Sequence, residues 1–291
     1  MTAHDVVAAV RRIAGVKQVG HGGTLDPAAT GVLPVALGAA CRLLRFLEGN
    51  KVYLAEILLG TTTTTDDLAG EVIAESQGIP GDREITAALS RFTGEIEQVP
   101  PLYSAVHHQG DRLYDLARRG VAPEKIPART VTIGKIEVVK IAPPVVLVRI
   151  ECSTGTYIRS IARDLGAALS CGGCLRSLLR ERSGPFLISQ SVTLEQLQDL
   201  KAEGRLERAF VDPLAALDLP VLSVGQEERR RISMGQTLAL PEKNAPGAVV
   251  SVTAGEGLGL VLAVHEGELL AVCRKTADNK LKPEVVVAHA Y

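Results

Sequence analysis

A single aspartate, Asp26, lies in a loop that glycine and proline keep out of a helix. The segment over residues 21–35 reads HGGTLDPAATGVLPV. Gly22 and Gly23 permit backbone angles and close approaches that a side chain would block, and Pro27 disfavours the α region for the residue before it. A carboxylate held in this way can act as a nucleophile or as a general base. The alternative is an Asx turn, in which the side chain only caps its own backbone.

This segment resembles the catalytic loop of the bacterial TruB-type tRNA pseudouridine synthases. The family pattern is roughly G-H-x-G-x-L-D-P-x-A-T-G-V-L-P, and residues 20–34 match it. Further motifs occur in the family's order and at close to its spacing, so that the resemblance covers most of residues 1 to about 215. These motifs are Lys51-Val-Tyr53, Pro101-Leu-Tyr103-Ser-Ala, Arg112-Leu-Tyr114 and Cys152-Ser-Thr-Gly-Thr-Tyr157-Ile-Arg159. An ordered set over this length is far more specific than a lone G-x-L-D-P.

The resemblance implies the isomerisation of uridine to pseudouridine. This reaction breaks the bond between C1′ and N1, rotates the base and joins C5 to the sugar. It involves no net redox change, and the resemblance implies neither a cofactor nor a metal. Asp26 is implied as the carboxylate beside the sugar. Attack on C1′ and abstraction of the C2′ proton both remain open for it.

Two more residues complete the catalytic set that the resemblance implies. Arg159 would pair with Asp26, because a planar guanidinium offers a fork to both carboxylate oxygens; taken alone, it is a surface arginine in the first turn of a helix. Tyr53 would stack on the uracil and is a candidate base for the C5 proton; taken alone, it is a core aromatic of a strand. Five residues fall on positions of substrate contact or pocket wall, namely His21, Arg42, Tyr157, Leu178 and Arg180.

The resemblance also names the partner, which is tRNA with the target uridine at position 55 in the T-loop. An enzyme must extrude such a uridine into a pocket, at an unstacking cost of a few kcal/mol. Arginines would bind stem phosphates, and a few aromatic side chains would stack on bases. We therefore expect the T-arm stem-loop as ligand, a monomeric protein and no protein partner.

Composition argues against a membrane protein and leaves the cytoplasm as the expected location. Of the 291 residues, 46% are hydrophobic and 22% are charged, which is ordinary for a globular protein. The longest apolar runs, such as residues 143–148, fall far short of the ~20 residues that span a bilayer, and the N-terminus has no signal-peptide pattern. The net charge of -1 means that RNA binding must rest on local charge.

Local positive charge is concentrated between Arg159 and Arg182, where five arginines face two acidic residues. The alternative reading of this stretch is a solvated helical face. The five cysteines form no disulfide framework, because their number is odd and the chain is expected in the cytosol. The Cys171-Gly-Gly-Cys174 motif is not read as zinc-binding, because no second ligand pair lies at suitable spacing. We predict that this motif lies in a glycine-rich break between helical segments.

The elements that must position these residues mix without a βαβ repeat or a glycine-rich phosphate loop. We predict an α+β fold with a mixed, mainly antiparallel sheet flanked by helices, which the resemblance identifies as the pseudouridine synthase fold. Apolar spacing predicts helices over residues 3–13, 39–47, 85–92, 112–119 and 156–169. β-Rich runs predict strands over residues 32–36, 53–59, 131–140 and 145–152.

A change in the residue pattern near residue 212 predicts a second domain. Helical spacing stops at the segment DPLAALDLP, over residues 212–220, and glycine-punctuated β-rich runs follow at 248–253, 259–264 and 269–274. We predict a catalytic domain over residues 1–218 and a small β-rich domain over residues 219–291. The latter resembles the family's PUA-like RNA-binding module in size and strand texture alone.

Three features depart from the family pattern. The family carries a strand of the form G-x-x-x-x-D-K-P-x-G, then M-T-S, before the first helix, whereas this chain begins at Met1-Thr2-Ala3. We expect about one strand and its Lys-Pro turn to be missing, which would expose a sheet edge. Three explanations of this difference remain open: a misassigned start, a truncation and a family member that folds without the strand. In the turn T-D-T-x-D the first aspartate is Thr64, and a lysine expected after Tyr-Ser-Ala-x is His107.

Two other classes of function remain open. One is a catalytically silent tRNA-binding or tRNA-folding protein of the same fold, which the intact Asp26, Tyr53 and Arg159 disfavour. The other is a carboxylate hydrolase acting on a glycosidic bond, which would ordinarily need a second acid near Asp26. The sequence gives no evident candidate for that acid.

Overall fold

The chain divides into two units in the computed structural model, which describes residues 1–47, 49–121, 123, 125–239 and 259–287. The central unit comprises Leu25–Val32 and Gly49–Gln190. The terminal unit comprises Met1–Thr24, Leu33–Glu48 and Ser191–Tyr291, so it draws on both ends of the chain. The proposed domain boundary after residue 218 stays a prediction.

Helices and strands are interspersed along the described residues. The α-helices are α1 (Ala3–Ala14), α2 (Asp82–Ser90), α3 (Leu113–Arg118), α4 (Ile158–Ala168), α5 (Leu194–Ala202), α6 (Pro213–Ala216) and α7 (Gln226–Ser233), and 3-10 helices cover Gly38–Phe46, Ile188–Gln190 and Leu206–Ala209. The strands are β1 (Val19–His21), β2 (Thr30–Gly31), β3 (Val35–Leu37), β4 (Lys51–Leu59), β5 (Thr61–Thr63), β6 (Val72–Glu75), β7 (Gly94–Gln98), β8 (His107–His108), β9 (Asp111–Arg112), β10 (Arg129–Ala142), β11 (Val145–Cys152), β12 (Gly173–Ser183), β13 (Phe186–Leu187), β14 (Val221–Ser223), β15 (Leu238–Ala239), β16 (Leu260–His265), β17 (Glu268–Lys275) and β18 (Lys280–Val286).

A seven-stranded mixed sheet organises the central unit. Its order is β13-β12-β4-β11-β10-β7, and β2 joins β12 as the one parallel pairing recorded in it. The other pairings are antiparallel. Alternate residues of β4 and β11 are buried, which is the period of a strand with one face in the core. The predicted α+β fold with a mainly antiparallel sheet is confirmed.

Helix α4 packs on the buried face of this sheet. Its apolar residues Ile158, Ile161 and Leu165 recur at helical spacing and join the core that Ala55 and Ile57 of β4 occupy. The predicted helices at 3–13, 85–92, 112–119 and 156–169 and the strands at 53–59, 131–140 and 145–152 are confirmed. The segment 39–47 forms a 3-10 helix, and the strand predicted at 32–36 is displaced to Val35–Leu37.

The prediction of helix on both sides of the Cys171-Gly-Gly-Cys174 motif is wrong. Helix α4 precedes the motif, but the motif leads into the 11-residue strand β12, which pairs with β4 along its length. Leu175, Leu178 and Leu179 have a spacing that suits a helix as well as a strand, so the period alone does not decide. The arginines at 176, 180 and 182 therefore lie on a strand, not on a solvated helical face.

The terminal unit carries a five-stranded β-sheet in the order β14-β16-β17-β18-β15. Its core joins the 3-10 helix residues Leu43 and Phe46 to Leu217, Leu262 and Val272. The β-rich character predicted for the C-terminal region is confirmed at β16 and β17, whereas the strand predicted at 248–253 lies outside the described residues. Among the described helices, none has the length and apolar content that a membrane crossing requires.

Candidate active site

Backbone contacts with β12 fix the loop that carries Asp26. Thr30 and Gly31 form the short strand β2, which pairs with Leu179 and Arg180. Immediately after it, the Val32 amide donates to the Arg180 carbonyl at 2.9 Å. The Ala29 amide donates to the Asp26 carbonyl at 2.9 Å and closes a turn, which leaves the Asp26 side chain 33% exposed. The loop thus holds one partly exposed carboxylate on a backbone segment that is hydrogen-bonded to β12.

Arg159 forms a two-point ion pair with that carboxylate. Its Nε donates to Oδ2 of Asp26 at 2.8 Å, and one terminal nitrogen donates to Oδ1 at 2.8 Å. The side chain of Arg159 is only 5% exposed, and it leaves α4 at the second residue of the helix. Two charge-assisted hydrogen bonds from one planar fork set both the position and the plane of an ionised carboxylate.

The same guanidinium holds two further segments of the central unit. Nη1 of Arg159 donates to the Thr65 carbonyl at 3.2 Å, and Nη2 donates to the Tyr103 carbonyl at 3.0 Å. A second carboxylate, from Asp67, lies 3.7 Å from Nε. Arg159 is therefore the point where the Asp26 loop, the turn after β5 and the segment after β7 meet.

The turn at residues 65–67 is stabilised by its own side chains. Oδ1 of Asp67 accepts from the Thr65 hydroxyl at 2.5 Å and from the Ala69 amide at 3.0 Å, which is an Asx-type turn. Thr64, one of the departures from the family pattern, accepts from the Glu71 amide at 3.1 Å across the hairpin. Asp67 was missed as a site residue by sequence reasoning, although it is the last aspartate of the T-D-T-x-D pattern.

Tyr53 and Arg180 lie opposite each other on β4 and β12. Arg180 is fully buried, and its Nε donates to the Val32 carbonyl at 2.7 Å. Burial raises the pKa of Tyr53; the charge and hydrogen bond of Arg180 lower it in part, and the Asp26 carboxylate adds a smaller rise. Strand pairing sets Arg180 opposite Tyr53 and next to the loop of Asp26, and Arg159 bonds Asp26, so contacts within the central unit connect four predicted site residues: Asp26, Tyr53, Arg159 and Arg180.

Tyr157 and Leu178 belong to the same unit but are held differently. Tyr157 is the N-cap residue of α4, and the buried Gln98 side chain bonds both its amide and its carbonyl, at 2.8 and 3.1 Å. Leu178 is buried on β12, directly opposite Ala55. These two bonds from Gln98 fix the start of α4 and hence the origin of the Arg159 side chain. Sequence reasoning missed this contact.

His21 and Arg42 lie in the terminal unit. His21 is on β1, which pairs with β3, and its Nδ1 atom is buried with no hydrogen-bond partner among the described residues. Arg42 lies on the 3-10 helix at Gly38–Phe46 and donates to the Val286 carbonyl of β18 at 2.5 Å.

The part of the chain that the structure describes contains no cluster of metal-ligating side chains. No group of three or more His, Cys, Asp or Glu side chains converges there. Cys171 and Cys174 are both buried, and burial raises the pKa of the Cys174 thiol to about 11.

Two family models match the chain in consecutive stretches. Residues 11–158 match the TruB family pseudouridylate synthase (N terminal domain). Residues 159–221 match the tRNA pseudouridylate synthase B C-terminal domain. The first stretch contains Asp26 and Tyr53, and the second begins at Arg159.

Individual relatives extend the likeness over nearly the whole chain. The tRNA pseudouridine synthase B of Moorella thermoacetica is 43% identical over 299 aligned positions, covering 99% of this chain and 95% of its own length. That of Gloeobacter violaceus is 53% identical, covering 68% of this chain and 69% of its own length. Among solved structures, an H/ACA RNP bound to a substrate RNA containing 2′-deoxyuridine is 28% identical with a TM-score of 0.74, covering 98% of this chain and 81% of that one. A Cbf5–Nop10–Gar1 complex is 28% identical with a TM-score of 0.75, covering 100% and 83%.

Proposed function

Because the chain belongs to the TruB family of pseudouridylate synthases, we propose that it isomerises the uridine at position 55, in the T-loop of tRNA. The coarser activity, conversion of uridine to pseudouridine in tRNA, follows from full-length relatives that carry it in their name. The observation that carries the proposal at the level of the site is the two-point pairing of Arg159 with Asp26.

Asp26 is the proposed catalytic carboxylate. Breaking the bond between C1′ and N1 needs a carboxylate beside the sugar, either to attack C1′ or to remove the C2′ proton. Both oxygens of Asp26 accept from Arg159, so the position and the plane of the group are fixed. Its one-third exposure leaves it open to a substrate, while the loop behind it is bonded to β12.

Tyr53 is the proposed partner of the uracil, as a stacking surface and as the base for the C5 proton. The phenol lies close enough to Asp26 for the carboxylate to raise its pKa. A raised pKa makes the phenolate a stronger base, and the nearby Arg180 charge favours formation of that phenolate. We propose that Leu178 and Tyr157 line the pocket. Contact with the substrate is proposed for Arg180, His21 and Arg42.

An exposed basic and aromatic segment of the central unit supports recognition of a T-arm stem-loop. Arg112 and Arg118 lie over the ring of Tyr114, with 5.8 and 5.4 Å from guanidinium carbon to ring centroid. Tyr103 is exposed, and its carbonyl is held by Arg159. Aromatic faces that stack on unpaired bases, beside arginines that bind phosphate, are the usual means of binding RNA loops.

The β-rich region over residues 219–291 is proposed to add RNA contacts as a PUA-like module. One cationic run lies on α7, where Arg229, Arg230 and Arg231 follow one another and the last two are exposed. A tRNA substrate also supports the cytoplasm as the place of the activity.

A tritium-release assay tests the proposal. Formation of pseudouridine replaces the hydrogen on C5 by the bond to C1′, so [5-³H]uridine releases tritium to water when it is isomerised. The substrate is a T-arm stem-loop with the label only at position 55, and the control RNA carries the label at another uridine of the loop. We expect release from the first RNA alone, and a fall of about 10²–10⁴-fold in the Asp26→Asn protein.

Each result has a separate reading. Binding of the stem-loop without release would indicate a catalytically silent RNA-binding protein, and free uracil in the products would indicate a hydrolase. Release from the control RNA alone would refute position 55, and release unchanged in Asp26→Asn would refute the role of Asp26.

A further inference from the structure

We propose that Arg163, which lies one helical turn after Arg159 on α4, is a positioning residue for the isomerisation and that it acts through Asp66. The inference rests on the proposed roles of Asp26 and Arg159. Arg163 itself touches neither the Asp26 carboxylate nor Tyr53 in its recorded hydrogen bonds and ion pairs. Its effect would therefore pass through the segments that hold Arg159.

Arg163 bonds the same two segments that Arg159 bonds. Its Nη1 donates to Oδ2 of Asp66 at 3.0 Å, next to the Thr65 carbonyl and the Asp67 carboxylate that face Arg159. Its Nη2 donates to the Val99 carbonyl at 2.9 Å, at the start of the segment that reaches Arg159 through Tyr103. Each segment is thus fastened to α4 at two points, one helical turn apart.

A further bond from the helix supports this double attachment. The hydroxyl of Ser160 donates to the same Val99 carbonyl at 2.8 Å. Residues 159, 160 and 163 therefore connect one rigid element to both segments. The position of the Arg159 fork, and hence of the Asp26 carboxylate, depends on where those two segments lie.

The backbone conformation and the burial of Asp66 carry a free-energy cost that packing alone does not explain. Its φ of +61° is in the left-handed region, which a residue with a Cβ adopts at a penalty. Its side chain is 14% exposed, and burial raises the pKa of this carboxyl against the opposing charge and hydrogen bond of Arg163. A largely buried carboxylate in the left-handed region is more costly than a neutral side chain of the same shape, so its pairing with Arg163 points to a positional role.

The test measures steady-state and single-turnover tritium release for Arg163→Ala, Arg163→Lys and Asp66→Asn. We expect Arg163→Ala to lower kcat by about 10–100-fold with KM for the stem-loop within about threefold, because a shift of about 1 Å at a reacting group costs a factor of this size. Arg163→Lys should recover part of the loss, since an ammonium can keep one of the contacts but not the fork. Asp66→Asn should lower kcat in the same direction without lowering the midpoint of thermal unfolding.

A matched control and a double-mutant cycle separate position from general stability. Arg149 also forms a two-point pair, with Glu181 at 2.7 and 3.3 Å, in the same unit but with no partner that Arg159 shares. Arg149→Ala should keep kcat within about twofold of the parent. Arg163→Ala combined with Asp66→Asn should lose no more than the worse single variant, whereas Arg163→Ala combined with Arg149→Ala, which share no partner, should be additive.

The inference is overturned if Arg163→Ala and Asp66→Asn keep the parental kcat, or if both lose rate only in proportion to the unfolded fraction. If Arg163→Ala fails to fold, Asp66→Asn and Arg163→Lys decide the question by the same criterion. Absence of release by the unmutated protein would instead refute the proposed function, and the inference with it.

Discussion

Gly31 is the position where one added methyl group should disturb the site most directly. Its φ is +108°, and a Cβ built there would lie 2.2 Å from the carbonyl oxygen and 2.7 Å from the amide nitrogen of Arg180. Both of those atoms belong to the backbone of β12, which is paired with β4 on its other side. A Gly31→Ala side chain therefore meets a neighbour that has no freedom to turn away.

The size of the effect follows from these distances. Carbon and oxygen atoms normally approach to about 3.3 Å, so the Asp26 loop must move by about 1 Å from β12. That movement stretches the bonds that join Val32 to Arg180 in both directions, at 2.9 and 2.7 Å. With the backbone strain of a non-glycine residue at this φ, we expect a loss of about 3–5 kcal/mol in the free energy of unfolding. A displacement of this size should also slow the reaction by about 10²-fold.

Gly94→Ala supplies the matched control, because Gly94 has φ of +100° but no heavy atom within 4 Å of its added Cβ. It carries the strain without the collision, so its cost should be about 1–3 kcal/mol with an unchanged rate. The measurements are urea unfolding and single-turnover tritium release from the T-arm stem-loop, with the rate normalised to the folded fraction. If Gly31→Ala and Gly94→Ala agree in both quantities, the argument from close approach is refuted.

Three other variants or conditions test separate parts of the structure. Burial raises the pKa of Tyr53 in the folded protein above its unfolded value of about 10. The stability that the retained proton contributes is therefore complete below the unfolded pKa and is lost as pH rises through the folded pKa. Unfolding measured between about pH 8 and 11 should show this loss in the parent and not in Tyr53→Phe. Burial raises the pKa of Cys152 and Cys174 to about 11, so mass spectrometry should find both alkylated by iodoacetamide at least about 100-fold more slowly than a free cysteine, and rapid native labelling would contradict this. Arg180→Met leaves the Val32 carbonyl without its donor and should cost about 1–3 kcal/mol in urea unfolding; an unchanged midpoint would argue against the buried bond.

The sequence was informative where function depends on residue type within a short segment. The loop around Asp26 could be recognised because glycine and proline restrict its backbone and few sequences combine them in this order. The helix with Arg159 and the strand with Tyr53 were predictable, since each has the apolar period of its own element. Pairing of Asp26 with Arg159 was expected from the resemblance, and the structure has both oxygens bonded.

Contacts made by backbone carbonyls and by tertiary pairing could not be read in the same way. Any residue type at 65 or 103 presents a carbonyl, so the sequence carries no signal that Arg159 binds there. The helix expected after Cys174 failed for a related reason, because the leucines of β12 satisfy either period and only pairing with β4 selects the strand. Gln98 was missed because a buried amide that clamps a helix start has no characteristic spacing.

Charge balance around α4 bears on which part of an RNA the site accepts. Two arginines there are paired with more carboxylates than they can neutralise, since Arg159 faces Asp26 and Asp67 while Arg163 faces Asp66 and Asp164. A local excess of negative charge repels phosphate, so under the proposed function the sugar–phosphate backbone is bound away from this group. The exposed Arg118 is a proposed phosphate contact. A uracil is neutral and experiences no such repulsion. The charges of these pairs therefore agree with the proposed function, in which a flipped-out base lies beside Asp26 while the strand stays outside.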